Sequence, residues 1–257
     1  MIKPYVKAVV SNKYVEVTQQ PYRPYISGTS SGGRKSFSIQ SNETNETNLK
    51  ISINRARKNI ARLLECNFTE TYAFLTLTFK QSEEADLTDI KTCLKLFSDF
   101  KKRLAYYLQK NQLPAFKYLG VTEFQDENEQ GAVHFHLVCN LIHLPLSVLE
   151  DLWENGFLHR KIIKSNVTDN GKIAHYLKKG ITDKRLTGKK KYFSSHGLKK
   201  PLTFEIEDPE EFYNALNKCQ PTLLFDESYP NPFSGETKYE HYHIDNPKEL
   251  INYVQDL

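Results

Sequence analysis

The chain lacks most features that mark secreted, membrane or nucleotide-driven proteins. Its 4 cysteines lie far apart without CxxC spacing, which argues against a disulfide framework or a cysteine zinc site and favours free thiols. No run approaches the roughly 20 apolar residues of a membrane span, and the N-terminus has no apolar leader with a cleavage site. There is no internal repeat and no GxxxxGK[ST] or GxGxxG phosphate loop. These absences predict a cytoplasmic protein with no membrane contact and no ATP-driven motor.

The composition predicts a folded protein with an uneven charge distribution. The 257 residues are 39% hydrophobic and 12% aromatic, enough for one large domain or two small ones. Residues 1–60 carry 10 Lys/Arg against 3 Asp/Glu, residues 159–201 carry 13 against 2, and residues 202–257 carry 3 against 12. A basic centre of this kind favours a nucleic acid as partner, with a solvated basic loop as the alternative.

Local hydrophobic patterns predict an α+β fold, in which helices flank one face of a central antiparallel sheet. The apolar residues Trp153 and Leu94 are assigned to the core or a lid and to the buried stripe of a helix, respectively. Three segments are predicted: N-terminal strands and a flexible arm (1–48), a main domain (49–201) and an acidic extension packed on it or following it (202–257). The elements predicted within the main domain are helices over 49–66, 86–110, 145–155 and 172–180, and strands over 72–79, 117–125, 132–141 and 157–163.

The sharpest local feature is His134-Phe135-His136 within an apolar strand. Side chains alternate along a strand, so both imidazoles project from the same face, about 6–7 Å apart along the chain. Two such histidines can bind one divalent cation, although exposed strand histidines without a ligand are the alternative. Glu123 and Gln125 on the neighbouring strand also share a face, and the sequence does not fix which lies opposite a histidine. Glu123 is the better third ligand because a carboxylate suits Mg²⁺ or Mn²⁺.

A second candidate is Tyr176, followed by Lys179 on a predicted helix in the most basic part of the chain. Residues three apart lie on one helix face, so the ammonium group can approach the phenol or a phosphate attached to it. A tyrosine can act as a nucleophile and form a covalent intermediate. Since the chain has 15 tyrosines, a purely structural role for Tyr176 is the alternative.

Three stretches occur in a characteristic order: FLTLTF (74–79), GAVHFH (131–136) and HYLKK (175–179). They resemble the three motifs of the HUH endonucleases, in particular the rolling-circle replication initiators of plasmids and phages. The resemblance covers about residues 50–201. Its other matching stretches are NRARKNIARLLECNF (54–68), YLGVTEFQ (118–125), WENGF (153–157) and DKRLTGKKKYFSSHGLKKP (183–201).

The resemblance implies an origin nickase on an RRM-like, palm-type core. His134 and His136 would hold a divalent metal at the scissile phosphate of single-stranded DNA, and Tyr176 would attack the phosphorus, assisted by the cation of Lys179. The products would be a 5′-phosphotyrosyl link and a free 3′-OH. The implied partners are single-stranded or hairpin origin DNA and a helicase and polymerase from the host or the mobile element, with a homo-oligomer left open.

One departure from the family pattern concerns the number of tyrosines. Many relatives carry two tyrosines four residues apart, whereas here the earlier position is Lys172 and His175 precedes Tyr176. This pattern predicts an enzyme with one nucleophile that nicks once per cycle. His175 is interpreted as a surface residue, with an extra metal or phosphate contact as the alternative.

The predicted DNA contacts combine cations that pair with phosphates and a ring that stacks on bases. The alternative is a basic hairpin whose aromatic residues lie in the core. The candidates are Arg55, Arg57, Lys58, Lys189, Lys190, Lys191, Tyr192, Lys199 and Lys200.

Three other functions remain open at this stage. A DNA-binding protein that recognises an origin or operator without cutting would keep its function after Tyr176→Phe. A metal-dependent phosphoesterase that activates water would tolerate that change but not His134→Ala, and would never link DNA to protein. A relaxase or transposase of a mobile element is the nearest alternative to an initiator.

Overall fold

The protein folds into two compact units, Ser41–Lys199 and a second unit formed by Met1–Gln40 with Lys200–Leu257. We call them the site unit and the terminal unit. A computed structural model describes residues 4–23, 42–80, 86–126, 131–164, 173, 175–178, 180–231 and 235–255. Both units combine helices with antiparallel strands, so the predicted α+β class is confirmed. Among the described residues, no helix is both long and apolar enough to cross a membrane.

The elements follow one another in mixed order along the chain. The strands are β1 (Tyr5–Ser11), β2 (Tyr14–Gln20), β3 (Thr71–Leu77), β4 (Tyr118–Gln125), β5 (Ala132–Cys139), β6 (Leu158–Lys164), β7 (Phe193–Ser194), β8 (Leu202–Ile206), β9 (Thr222–Asn231) and β10 (Gly235–His243). The helices are α1 (Asn42–Asn67), α2 (Ile90–Lys110), α3 (Leu146–Trp153), α4 (helical at 173, 175–178 and 180), α5 (Pro209–Lys218) and α6 (Pro247–Gln255).

The site unit is built on an antiparallel sheet with the strand order β6-β3-β5-β4-β7. Helices α2 and α3 pack on one face, where Phe97 and Trp153 join the core around Phe135. Helices α1 and α4 pack on the other face, through residues such as Ile60 and Leu177. The prediction of helices on a single face was therefore wrong. Strands covered on both faces are near-continuous apolar runs, as in FLTL of β3.

Two helix starts differ from the predicted ones. Helix α2 begins at Ile90 rather than residue 86, because the Asp89 carboxylate accepts the Thr92 N–H at 2.9 Å and caps the first turn. Leu94, assigned to its buried stripe, is instead exposed, and Cys93 is buried. Helix α1 begins at Asn42, so the flexible arm predicted through residue 48 was wrong at its end. Residues 24–41 of that arm lie outside the described part of the chain.

The terminal unit joins the two ends of the sequence in one antiparallel sheet of order β8-β1-β2-β10-β9. Strand β1 pairs with β8, and β2 pairs with β10. Helices α5 and α6 contribute Phe212 and Leu250 to a core with Val6, Ala8 and Val17. Edge strand β9 is exposed along nearly its whole length. The sequence analysis assigned no strands or helices after residue 201.

Candidate functional site

The pairing of β4 with β5 places a carboxylate beside the histidine pair. Glu123 lies opposite His134, and Val121 lies opposite His136. Gln125 lies opposite Ala132 at the end of the hairpin. Because directly opposed residues share a face, Glu123 and both histidines form one polar group on the face covered by α1 and α4.

The Glu123 carboxylate lies between the imidazole of His136 and the hydroxyl of Tyr176. Its Oε2 atom is 2.5 Å from Nε2 of His136, and the Tyr176 hydroxyl donates to the same oxygen at 3.5 Å. Both histidines are buried, whereas 42% of Tyr176 is exposed. A phenol that solvent can reach therefore stands at the edge of a buried histidine–carboxylate group.

Two residues of β3 orient His136. The Thr76 hydroxyl is 3.1 Å from Nδ1 of His136. The Phe74 ring stacks on the imidazole with centroids 5.8 Å apart, and its other contact is edge-to-face with Tyr176 at 5.5 Å. When Thr76 accepts the Nδ1 proton, the lone pair of Nε2 points towards Glu123. The ring of His136 is thus fixed in the orientation that a metal ligand needs.

The donor set has the chemistry of a divalent-cation site. Two imidazoles and a carboxylate on one sheet face are ligand types that Mn²⁺ and Mg²⁺ accept. In the ligand-free arrangement of the described residues, no three His, Cys, Asp or Glu side chains converge on a common point. The facing atoms of His136 and Glu123 instead contact each other directly. These two atoms, with His134 beside them, are the ones that would hold a cation.

The environment of Tyr176 keeps its phenol protonated in the absence of a cation. Burial raises the pKa of Tyr176, and the negative charge and hydrogen bond of Glu123 raise this pKa further. A cation bound by Glu123 would oppose that electrostatic effect, because it would offset the carboxylate charge.

Helix α4 holds Tyr176 through apolar contacts and a close backbone approach. Leu177 and Ile181 are fully buried against a cluster that includes Val121 of β4. At Gly180, a Cβ atom would lie 2.8 Å from the carbonyl oxygen of Thr122. A larger residue at this position would push the helix away from β4, the strand that carries Glu123.

A second connection between α4 and β4 is made by Arg185. Its guanidinium forms a bidentate pair with Asp126, just after β4, at 2.7 and 2.8 Å, and contacts Asp183 at 2.6 and 3.0 Å. It also lies 3.9 Å from the centroid of the Phe124 ring. These pairs hold the pKa of both carboxyl groups below the usual range. The segment that follows the tyrosine helix is thereby fastened to the end of the glutamate strand.

The predicted DNA-binding residues fall into two groups. Lys191 is only 7% exposed and burial lowers its pKa, while Tyr192 packs against the core beneath α1 and α4. Lys199 is exposed, and its backbone is held at the end of α1 by two hydrogen bonds with Asn67, at 2.7 and 2.9 Å. The members that reach the surface, fully or in part, are Arg55, Arg57, Lys58, Lys189, Lys190, Lys199 and Lys200.

Several residues near Tyr176 were predicted to take part in the chemistry. Lys179, the predicted assisting cation, and Lys172, the earlier tyrosine position, lie outside the described residues. His175 lies on α4 and is exposed, in keeping with its interpretation as a surface residue.

Sequence reasoning missed Phe74 and Thr76 of β3. A signal for Thr76 was present, because a threonine recurs at every second position of FLTLTF, where a strand buried on both faces is otherwise apolar. The contact of Phe74 with both His136 and Tyr176 had no such signal, since a core phenylalanine gives the same pattern.

Comparison with known proteins gives one match, and it falls on this site. Residues 72–184 match a protein-family model for the replication-associated protein ORF2. This segment contains Phe74, Thr76, Glu123, the histidine pair and Tyr176, and it supports a Rep-type replication protein. No match was found among curated proteins or among solved structures.

Proposed function

We propose that the protein initiates DNA replication by nicking and rejoining single-stranded DNA at an origin, through a covalent tyrosine intermediate. The observation that carries this proposal is the Tyr176 hydroxyl, 3.5 Å from the carboxylate oxygen that contacts His136. An accessible phenol at a histidine–carboxylate group suits nucleophilic attack on a phosphodiester better than a purely structural role. The match to replication-associated proteins supports the biological setting.

In the proposed reaction, the phenolic oxygen of Tyr176 attacks the phosphorus and the bond from phosphorus to the 3′-oxygen breaks. The phenolic proton leaves towards Glu123 Oε2, which already accepts it in a hydrogen bond, and the departing 3′-oxygen takes up a proton. The DNA downstream of the nick stays attached to Tyr176 through its 5′-phosphate. Attack by a 3′-OH reverses the step, since a phenolate is a good leaving group.

Glu123, His134 and His136 would hold Mg²⁺ or Mn²⁺ at the scissile phosphate, where the cation acts as a Lewis acid and offsets charge on the non-bridging oxygens. Thr76 keeps the Nε2 atom of His136 directed at this position. Phe74 supports both the imidazole and the phenol, so the ligand and the nucleophile share one wall. Lys179 remains the assisting cation proposed from the family resemblance.

The surface cations of α1 and of the segment after α4 would bind the origin DNA through its phosphates, and these contacts would set its position rather than read its sequence. The proposal includes a helicase and a polymerase, supplied by the host or the mobile element in the cytoplasm, because nicking alone does not unwind the duplex.

A covalent-adduct assay tests the proposal. The protein is mixed with Mn²⁺ and single-stranded oligonucleotides from the replication origin of its genetic element, labelled at either end, and run on denaturing gels. We expect a protein band that carries only the label downstream of the nick. Tyr176→Phe should abolish the band, and Tyr229→Phe, which alters an exposed tyrosine of the terminal unit, should keep it.

Two outcomes would replace the proposal by a different function. Cleavage without an adduct, retained in Tyr176→Phe, would indicate a phosphoesterase that activates water. Tight binding without cleavage of any origin strand would indicate a DNA-binding protein that does not cut.

A further inference from the structure

Strand β6 forms the edge of the site sheet, next to β3, and extends its polar face. His159 lies opposite Thr76, and Lys161 lies opposite Phe74. Because paired residues share a face, both side chains lie on the same side of the sheet as the histidine pair. Thr76 and Phe74 are the residues that contact His136, so β6 runs one strand away from the wall of the candidate site.

Phe157 continues this row beyond the start of β6. The Thr78 N–H donates to its carbonyl oxygen at 2.9 Å, and its own N–H donates to the Thr78 hydroxyl at 3.1 Å. Its side chain is 81% exposed and makes no ring contact with another described residue. The preceding Gly156 permits this course, since a Cβ atom there would lie 2.4 Å from the Thr78 carbonyl oxygen. A large apolar ring is thus held in solvent by a well-anchored backbone.

The charges of β6 on this face have one sign. His159 and Lys161 are exposed, and the strand sequence LHRKIIK contains no acidic residue. Arg160, on the opposite face, has a structural task, because it donates to the carbonyl oxygens of Leu141 and Leu144. Along the site face, Phe157, His159 and Lys161 therefore succeed one another at spacings of about 6–7 Å.

We infer that this row, Phe157, His159 and Lys161, binds the single strand that flanks the scissile phosphate. An exposed ring with neighbouring cations is the combination used by surfaces that bind single strands, where the ring stacks on a base and the cations pair with phosphates. The inference rests on the proposed function, because it assigns a path to the strand that Tyr176 attacks.

The stacking contact is tested by strand binding in the Tyr176→Phe background, so that no DNA is cleaved. The probe is a fluorescein-labelled oligothymidylate of about 20 nucleotides, long enough for one binding site. Phe157→Ala should weaken binding about tenfold, the range of a single base–aromatic stack, and Phe157→Trp should retain it. Tyr106→Ala removes a ring that is 69% exposed on α2, on the other side of the sheet, and should have no effect.

The phosphate contact is tested by the salt dependence of the same binding. Lys161→Gln should reduce the slope of log Kd against log salt concentration by about 0.7, the value for one phosphate contact on a single strand. Lys164→Gln is the matched control, because this exposed lysine lies on the opposite face of the same strand. Unchanged melting temperatures would show that these exposed substitutions leave the fold intact.

Binding by Phe157→Ala and Lys161→Gln that equals the parent would overturn the inference, even if the covalent adduct forms. Conversely, loss of binding in these two variants, with no adduct from any origin strand, would leave the β6 surface in place and refute the nickase. The two proposals therefore fail separately.

Discussion

The two units use similar sheets for different ends. The site unit carries 25 Lys/Arg and 18 Asp/Glu, while the terminal unit carries 10 and 13. In the terminal unit, buried polar groups pair locally, as Glu16 does with the Tyr239 hydroxyl at 2.8 Å and Gln20 with Thr237 at 3.3 Å. In the site unit, Thr76, Glu123 and Tyr176 all contact one imidazole.

This difference separates structural polar groups from chemical ones. A buried polar pair that satisfies itself stabilises the fold and offers no group to a ligand. The group around His136 extends instead to a hydroxyl that solvent reaches. If the distinction is correct, equivalent substitutions in the two units will have different effects on DNA cleavage.

The largest effect is expected from the histidines. His136→Ala should lower the cleavage rate at least about a hundredfold, because it removes a ligand from the proposed cation. His243→Ala in β10 removes a histidine that packs edge-on against Tyr14 and should leave the rate unchanged. Single-turnover cleavage of a labelled origin strand measures both, and equal losses would erase the distinction between the units.

A smaller effect is expected from the threonines. Thr76→Val removes the partner of Nδ1 of His136, so it should lower the rate about tenfold and raise the Mn²⁺ concentration needed for half-maximal cleavage. Thr76→Ser should restore both values. Thr237→Val in the terminal unit also removes a buried hydroxyl partner, and a similar rise in the Mn²⁺ requirement there would contradict a positioning role for Thr76.

The smallest effect concerns acid stability. The pKa values of Asp126 and Asp183 are lowered by Arg185, so their contribution is present above the unfolded carboxyl pKa of about 3.9 and is lost as the pH falls through the folded values. Arg185→Gln should melt below wild type at neutral pH, and the two curves should converge in acid. The exposed pair of Arg23 with Glu205 in the terminal unit provides the comparison, since Arg23→Gln should change little at either pH. A difference for Arg185→Gln that persists in acid would show that the ion pairs are not its cause.

Local patterns predicted most of the site unit, because its elements are set by short-range periodicity. The alternation that places His134 and His136 on one face is visible in the sequence, as is the buried run of β3. The choice between Glu123 and Gln125 was not, since it depends on the register of two strands across a hairpin. The positions of Thr76 and Phe74 beside the pair likewise depend on which strand lies next to β5.

The terminal unit escaped prediction for a related reason. Strand β1 finds its partner in β8, and β2 finds its partner in β10, some two hundred residues later. No window of sequence contains both halves of such a pair. The acidic composition after residue 201 was therefore interpreted as an extension, whereas the acids occupy the exposed positions of an ordered sheet and two helices.

The exposed edge strand β9 has a consequence for self-association. An edge that no other described strand covers, with Leu223, Leu224 and Phe225 about half exposed, is a template on which a second copy can add a strand. In an antiparallel, two-fold pairing of β9 with itself, Asp226 of one copy would face Glu227 of the other. Like charges directly opposite each other disfavour that pairing. The two acids thus act as gatekeepers that keep an apolar edge from growing into a continuous sheet.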